Sequence, residues 1–321
     1  MATGDLITAT RYNQIQATVS SVLGIGAGDS GYGQSLASSQ VSSSQNITAD
    51  HMNRLRADML STYVHQQGSA SGFTLPTIDA GSDLVSDAPS SVGKNEYDSY
   101  PALASTLLAN RNTFTGQSRT NNFSLESNRI SSSRNTPWGG SSQTQSVFHE
   151  VRVQFTNANA RRHFFNTGSE IRFEATLTNF PGGDGLDKFN NWSGMFAGMG
   201  TISFSSFETT NTGSGTAQTI GNFNLTSSYQ TVFIKSGSNV YSDNTYIIKA
   251  KQIDSRTISF LIEFNDLHVG SDQGGFGVGV DEPVEGVLRS RVHQFRATGT
   301  TISNIAKVIA PIPSYQNIRN L

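Results

Sequence analysis

The chain contains no cysteine. That excludes disulfides, thiolate nucleophiles and thiolate zinc sites, and it leaves the redox compartment open. Charge is scarce: 14% of the 321 residues are Asp, Glu, Lys or Arg, and the formal net charge is −2. No long basic run exists, so the sequence speaks against a nucleic-acid partner. Arg161-Arg162-His163 is too short to follow a phosphate backbone and reads as a solvated turn or an ion pair between subunits. No stretch approaches the roughly 20 apolar residues that span a membrane. The opening Met1-Ala2-Thr3-Gly4-Asp5 lacks the basic and apolar regions of a signal peptide. The six histidines show no His-Glu-x-x-His spacing, and no Gly-x-Ser-x-Gly elbow lies between a strand and a helix. These absences predict a protein that is not an enzyme and carries no cofactor or metal.

Uncharged polar residues and 31 glycines fill the gap, beside a hydrophobic content of 35%. Such surfaces suit repeated assemblies, where like charges on neighbouring copies would repel. In the second half of the chain, apolar and polar residues alternate. Ile171, Phe173, Ala175 and Leu177 interleave with Arg172, Glu174, Thr176 and Thr178, and Ile258, Phe260, Ile262 and Phe264 repeat the pattern. Period-2 alternation marks strands with one buried face. Strands are expected near 146–156, 169–178, 201–208, 218–226, 229–236, 244–252, 256–265 and 286–297. A helix near 185–198 has Leu186, Phe189, Trp192 (or Ser193) and Phe196 on one face. The expected fold is mainly β: a sandwich or jelly-roll-like domain with one inserted helix, preceded by a short helical N-terminal region.

That N-terminal region repeats itself. Ile7-Thr8-Ala9 returns as Ile47-Thr48-Ala49, Asn13 as Asn53, and Ala17 as Ala57. Tyr12, Ile15 and Val19 correspond to Met52, Leu55 and Met59, giving each copy a narrow apolar stripe at helical spacing. Thr8 and Thr48 suit N-caps, and Gly24 and Gly68 suit C-terminal stops. Stripes this narrow predict an oligomerisation seam of Tyr12, Ile15, Val19, Met52, Leu55 and Met59; the alternative is a helical hairpin packed on the β domain. The glycine-rich Gly24–Gly33 passage follows a helix and lacks the Lys-Ser or Lys-Thr of a phosphate loop, so it reads as a connector. The domain expectation is a helical repeat over 1–68, then a linker over 69–144 with an extended arm. The linker also holds a helix near 98–110 and a short strand near Phe123–Leu125. A β domain over 145–310 and an irregular C-terminal arm over 311–321 complete the chain.

Three further groups of residues are candidate sites. Glu170 and Glu174 flank a strand, and Asp281, Glu282 and Glu285 cluster near Asp266 and Asp272. Paired carboxylates serve glycosidases, and an acidic loop can bind a cation, though no EF-hand spacing is present. Trp192, Tyr229, Tyr241 and Tyr246 lie near polar turns and are candidates for stacking on a host glycan; the alternative places them in sheet and helix packing. His149 and His293 fall in predicted strands that can bring them face to face.

The segment Arg161-Arg162-His163-Phe164-Phe165-Asn166-Thr167-Gly168-Ser169-Glu170-Ile171-Arg172-Phe173-Glu174-Ala175 resembles one in virion structural proteins of tailed bacteriophages, especially contractile-tailed phages of marine bacteria and cyanobacteria. Met195–Phe204, Ile262–Asp266 and the Ile-Thr-Ala opening with Tyr12-Asn13 fit the same likeness, which covers about half of the chain, mostly Val147–Arg296. The resemblance implies a tail, neck, baseplate or fibre component, with capsid decoration as the second location. Its partners would be copies of itself and other virion proteins, and it would be assembled in the host cytoplasm and released by lysis. A glycan-binding adhesin and a glycan depolymerase are the rival readings. In the residues themselves, Asn166-Thr167-Gly168 reads as a turn into a core strand, with Gly168 suited to positive φ and Arg161 and Arg162 left outside.

Overall fold

The computed structural model describes residues 7–24, 31–32, 34–80, 97–111, 123–140, 145–182, 186–268, 281–298 and 310–321. Most of the glycine-rich connector, residues 81–96 of the predicted linker, and Asp272 lie outside them. The chain divides into two compact units. The first comprises Met1–Ser124, Arg162–Ser169 and Arg296–Pro311, and the second Leu125–Arg161, Glu170–Phe295 and Ile312–Leu321.

The first unit is built on α1 (Ala9–Leu23), α2 (Ala49–Gln67) and α3 (Ser99–Ala109). Both repeated helices start as their sequences predict. Thr8 accepts from the Arg11 N–H, and Thr48 from the His51 N–H. At Thr48 the imidazole of His51 also accepts from the Thr48 N–H at 3.1 Å, completing a reciprocal cap. Gly68 ends α2 at φ +75, which a side chain would resist.

The apolar stripes close within the chain. Tyr12, Ile15, Val19, Met52, Leu55 and Met59 are all buried in one cluster with Val41, Leu75, Ile78, Tyr97, Tyr100 and Leu107. This corrects the expected oligomerisation seam. The stripes are narrow because α3 and two non-helical straps supply the remaining apolar surface.

The straps show that the repeat is more than two helices. Asn13 Nδ2 donates to the Val41 carbonyl at 2.8 Å, and its Oδ1 accepts from the Val41 N–H at 2.9 Å. Asn53 does the same to Ile78, at 2.8 and 2.9 Å. Gln16 then reaches the Ser38 carbonyl, and Arg56, its counterpart, the Leu75 carbonyl. Each repeat is therefore a capped helix whose Asn holds the next strap by both polar groups of one residue, as a neighbouring strand would. Asn13→Ala and Asn53→Ala each strip a buried peptide of two partners, and each is expected to destabilise the chain by about 1–3 kcal/mol. Urea unfolding that shows one loss and not the other would break the equivalence.

The second unit is mainly β, with two antiparallel sheets. A five-stranded sheet has the order β1 (Phe123–Arg134), β10 (Val287–Ala297), β3 (Glu170–Thr178), β4 (Ile202–Phe204), β5 (Thr209–Asn211). A six-stranded sheet has the order β11 (Ser314–Arg319), β2 (Ser146–Gln154), β9 (Thr257–Asn265), β8 (Thr245–Asp254), β7 (Gln230–Ser236), β6 (Thr216–Ala217). In β3 the alternation read in the sequence is the observed burial, with Ile171, Phe173, Ala175 and Leu177 covered; in β9 Ile258, Phe260, Ile262 and Phe264 are covered, and so are Thr257, Ser259 and Glu263 beside them. Rings from the two sheets meet. Phe260 packs at 5.0 Å from Phe173 and 5.1 Å from Phe204, both near edge-on.

Several expectations are corrected here. The short strand expected near Phe123–Leu125 is a strand of 12 residues, β1. The C-terminal arm is strand β11, paired antiparallel with β2. Both strands lie at sheet edges, where polar sequence is tolerated and periodicity is weak. Of the 201–208 strand only β4 is present, with β5 just beyond it, and the 218–226 strand is absent: β6 ends before it and a 3-10 turn occupies Asn222–Asn224. Residues 158–166 are not a turn but a helix, α4 (Ala158–Asn166), led by Asn157 Oδ1 accepting from the Ala160 N–H. Phe164 and Phe165 are buried as expected, and Gly168 takes φ +77. Arg161 and Arg162 are buried instead of left outside. The Arg161 guanidinium donates to Asn222 and to the Asp254 carbonyl, so it is spent inside the chain. The helix predicted at 185–198 is α5 (Leu186–Met199), but its buried face is rotated: Lys188, Trp192, Met195, Phe196 and Met199 are covered, while Leu186 is 48% exposed.

Candidate functional site

That rotation places a lysine on the buried stripe of α5, four residues before Trp192 and two turns before Phe196. The Lys188 ammonium has three protons, and each has a partner. It donates to Asp266 Oδ2 at 2.8 Å, to Asp281 Oδ1 at 2.9 Å, and to the Glu282 carbonyl at 2.5 Å. The Lys188 side chain is 1% exposed, and those of Asp266 and Asp281 are 0% and 7%.

Sequence features position each group. Asp266 follows the last residue of β9, and its N–H is held by the Gln145 carbonyl at 2.8 Å. Trp138 and Val284 form a two-way backbone bridge beside it, and Gly139 and Gly140 continue from Trp138 at φ +70 and +74. A Cβ on Gly139 would lie 2.1 Å from Asp266 Oδ2, so only glycine fits. The Gly140 N–H donates to that same oxygen at 3.0 Å. Trp138 and Trp192 pack edge-on at 4.9 Å. Burial raises the Asp266 pKa, and the hydrogen bond and charge of Lys188 oppose it.

The acidic cluster is thus compensated in part from within, at Asp266 and Asp281. Its Asp281 carboxylate and Glu282 carbonyl hold a lysine, the role the sequence left open for a cation. Among the described residues, no group of three or more His, Cys, Asp or Glu side chains is placed to hold a metal ion.

The Glu170–Glu174 pair also meets internal partners. Glu170 is bridged to Arg172 at 3.0 Å, and Arg172 stacks on Phe295 at 3.8 Å. Glu174 meets Arg291 at 3.5 Å and His293 at 3.9 Å. Four residues along a strand set the backbones of the two roughly 13 Å apart, wider than the about 5–9.5 Å at which glycosidases place their carboxyl pair.

His149 and His293 do not face each other. His149 is fully buried among inward-facing residues of β2, with Nδ1 2.9 Å from Ser290 Oγ and Nε2 2.9 Å from Asn317 Oδ1. Asn317 Oδ1 can only accept, so Nε2 carries the proton and Nδ1 accepts from Ser290. The set resembles a nucleophile–base–orienter chain. However, Ser290 is fully buried, and the contact instead ties β11 to β2 and β10.

The predicted glycan contacts separate. Trp192 and Tyr246 are fully buried and cannot stack on a ligand, because α5 and β8 turn them toward Trp138, Phe196 and Phe264. Tyr229 and Tyr241 are half-buried and lie beyond opposite ends of β7. The Tyr229 hydroxyl donates to Glu150 at 2.9 Å, and Lys251 sits 4.2 Å over its ring. A shallow cleft of about 120 Å³ near Arg152, Ile253, Asp254 and Tyr315 is well below the ~300 Å³ at which small-molecule sites begin.

Lys188 carried a signal that periodicity reading passed over: it is a lone cation in register with two apolar residues of its helix. No helix among the described residues is long and apolar enough to cross a membrane. No protein-family model matches the chain, and no curated protein or solved structure matches it either.

Proposed function

We propose that the chain is a structural component of a tailed-phage virion, a tail, neck or baseplate fibre or accessory protein that acts by self-assembly and attachment. It would be made in the host cytoplasm and leave by lysis. The two sheets are read as a β-sandwich of jelly-roll-like kind, since Phe173 and Phe204 meet Phe260 between them. The observation that carries the reading is that ionisable groups of the β unit are spent on one another. Lys188 is held by Asp266 and Asp281, Glu170 by Arg172, and Glu174 by Arg291. Groups paired in this way tie strands and helix together within the unit, as a scaffold requires. The resemblance of Arg161–Ala175 to virion proteins supplies the biological context.

With the helical stripes used internally, assembly falls to other surfaces. Leu186, Val240 and Leu267 are 48%, 51% and 46% exposed. Leu186 and Leu267 lie beside Lys188 and Asp266 in sequence, and Val240 precedes Tyr241, whose ring packs edge-on to His268 at 4.9 Å. Light scattering of the full chain at micromolar concentration is expected to give one defined oligomer, and Val240→Asp with Leu267→Asp is expected to dissociate it. A monomer at every concentration, or release of reducing ends from a host polysaccharide, would overturn the reading.

A glycan adhesin remains the second reading, because Tyr229 and Tyr241 keep part of their rings in solvent. Saturable binding on a glycan array, lost on Tyr241→Ala, would favour it.

A further inference from the structure

The Lys188 centre has the composition and geometry for a covalent step that an assembly role does not call for. We propose that Lys188 and Asp266 condense spontaneously into an intramolecular amide, with Asp281 carrying the proton, so that the start of α5 is tied covalently to the end of β9. The amine and carboxylate are 2.8 Å apart and shut away from water, and the second carboxylate sits 2.9 Å from the same nitrogen. Held reactants of this kind react as though at very high concentration, because the entropy of bringing them together is already lost in folding.

Asp266 is the better partner of the two acids. It is the more deeply buried, and its oxygens are already differentiated. The Gly140 N–H donates to Oδ2, where negative charge grows when an amine adds to the carbonyl carbon. Oδ1 is buried and makes no hydrogen bond among the described residues. In the amide, this is the oxygen that has departed. Burial also favours the protonated carboxyl of Asp266, the form an amine can attack.

The step balances without a co-reactant. Lys188 passes one proton to Asp266, so that both are neutral. The Nζ lone pair then forms the C–N bond at Cγ, and a second proton moves from nitrogen to Asp281. Asp281 returns it to the hydroxyl at Oδ1, which leaves as water when the C–O bond breaks. One ammonium and one carboxylate become one amide and one water, and Asp281 ends ionised as it began. In a chain with no cysteine, such a link does for the β unit what a disulfide does elsewhere.

The test is the intact mass of the full chain after unfolding in denaturant. The expected mass is one water below that of the sequence. Trypsin should spare Lys188 and yield a branched peptide joining the Lys188 and Asp266 fragments. Lys188→Arg keeps the positive charge but cannot condense, so it should recover the water. Asp281→Asn, checked for folding by near-ultraviolet circular dichroism, should stay largely unlinked. The full sequence mass in the folded parent chain overturns the proposal. So does a missing water with Lys188 still open to trypsin, the mark of a cyclic imide at an aspartate. An Asp281→Asn chain that links as completely as the parent removes Asp281 from the step and refutes the mechanism as stated.

Discussion

Measured against the uncondensed Lys188–Asp266 ion pair, Lys188→Met is expected to lower the stability of the chain by about 3–5 kcal/mol. Methionine fills nearly the same volume as lysine, so the loss reports charge and not a cavity. It leaves Asp266 and Asp281 facing each other in a site from which both are almost wholly excluded from water. One of them must then take up a proton or the site must open. An exposed ion pair would contribute only about 0–1 kcal/mol, so the size of the loss distinguishes the two cases. Urea unfolding followed by tryptophan fluorescence suits the measurement, since the chain's two tryptophans pack beside this centre. Adding Asp266→Asn and Asp281→Asn to Lys188→Met should restore part of the stability. A loss under about 1 kcal/mol in the single variant would show that the bridge is a surface pair after all.

Acidification is expected to produce the second large effect, about 2 kcal/mol between pH 7 and pH 5 from His163 alone. Burial, helped by the neighbouring Arg162 charge, pushes the His163 pKa from 6.5 down to about 4. Burial also lowers His149, against the opposing hydrogen bond from Asn317, and it lowers His293 against the opposing charge of Glu174. In each case the folded state prefers the neutral ring. Above pH 6.5 neither state binds the proton, and stability is full. Below it the unfolded chain binds protons first, so stability falls until the folded pKa is reached. Urea midpoints at pH 7.5, 6 and 5 should fall in that order, and His163→Gln should flatten the slope. Midpoints that do not change with pH would mean that these rings are solvated. Because His149 joins β2 and β10 to Asn317 of β11, acid is expected to loosen the C-terminal strand as well.

The inner strands of this protein could be read from the sequence because a strand with one buried face must alternate. β3 and β9 occur within a residue of where alternation put them. The capped helices could be read for a similar reason, since Thr8, Thr48 and Gly68 act through bonds to residues three or four positions away. Of the edge strands, β1 was legible only at its start near Phe123–Leu125 and β11 not at all, because an edge strand pairs on one side only and tolerates a polar sequence. Arg161 and Arg162 illustrate the same limit for charge. The partners of Arg161 lie far along the chain, and nothing local distinguishes a buried arginine from an exposed one.

Local rules in the sequence determined the helical repeat, the strand-rich second half and the absence of thiol chemistry. Only the tertiary structure decided what those elements face. It turned the stripes of α1 and α2 inward onto the straps, moved Trp192 and Tyr246 from surface to core, and brought Lys188 to carboxylates at Asp266 and Asp281. The physical reason is range. Caps, turns and alternation act over a few residues, whereas burial and ion pairing depend on which distant segments are folded against one another.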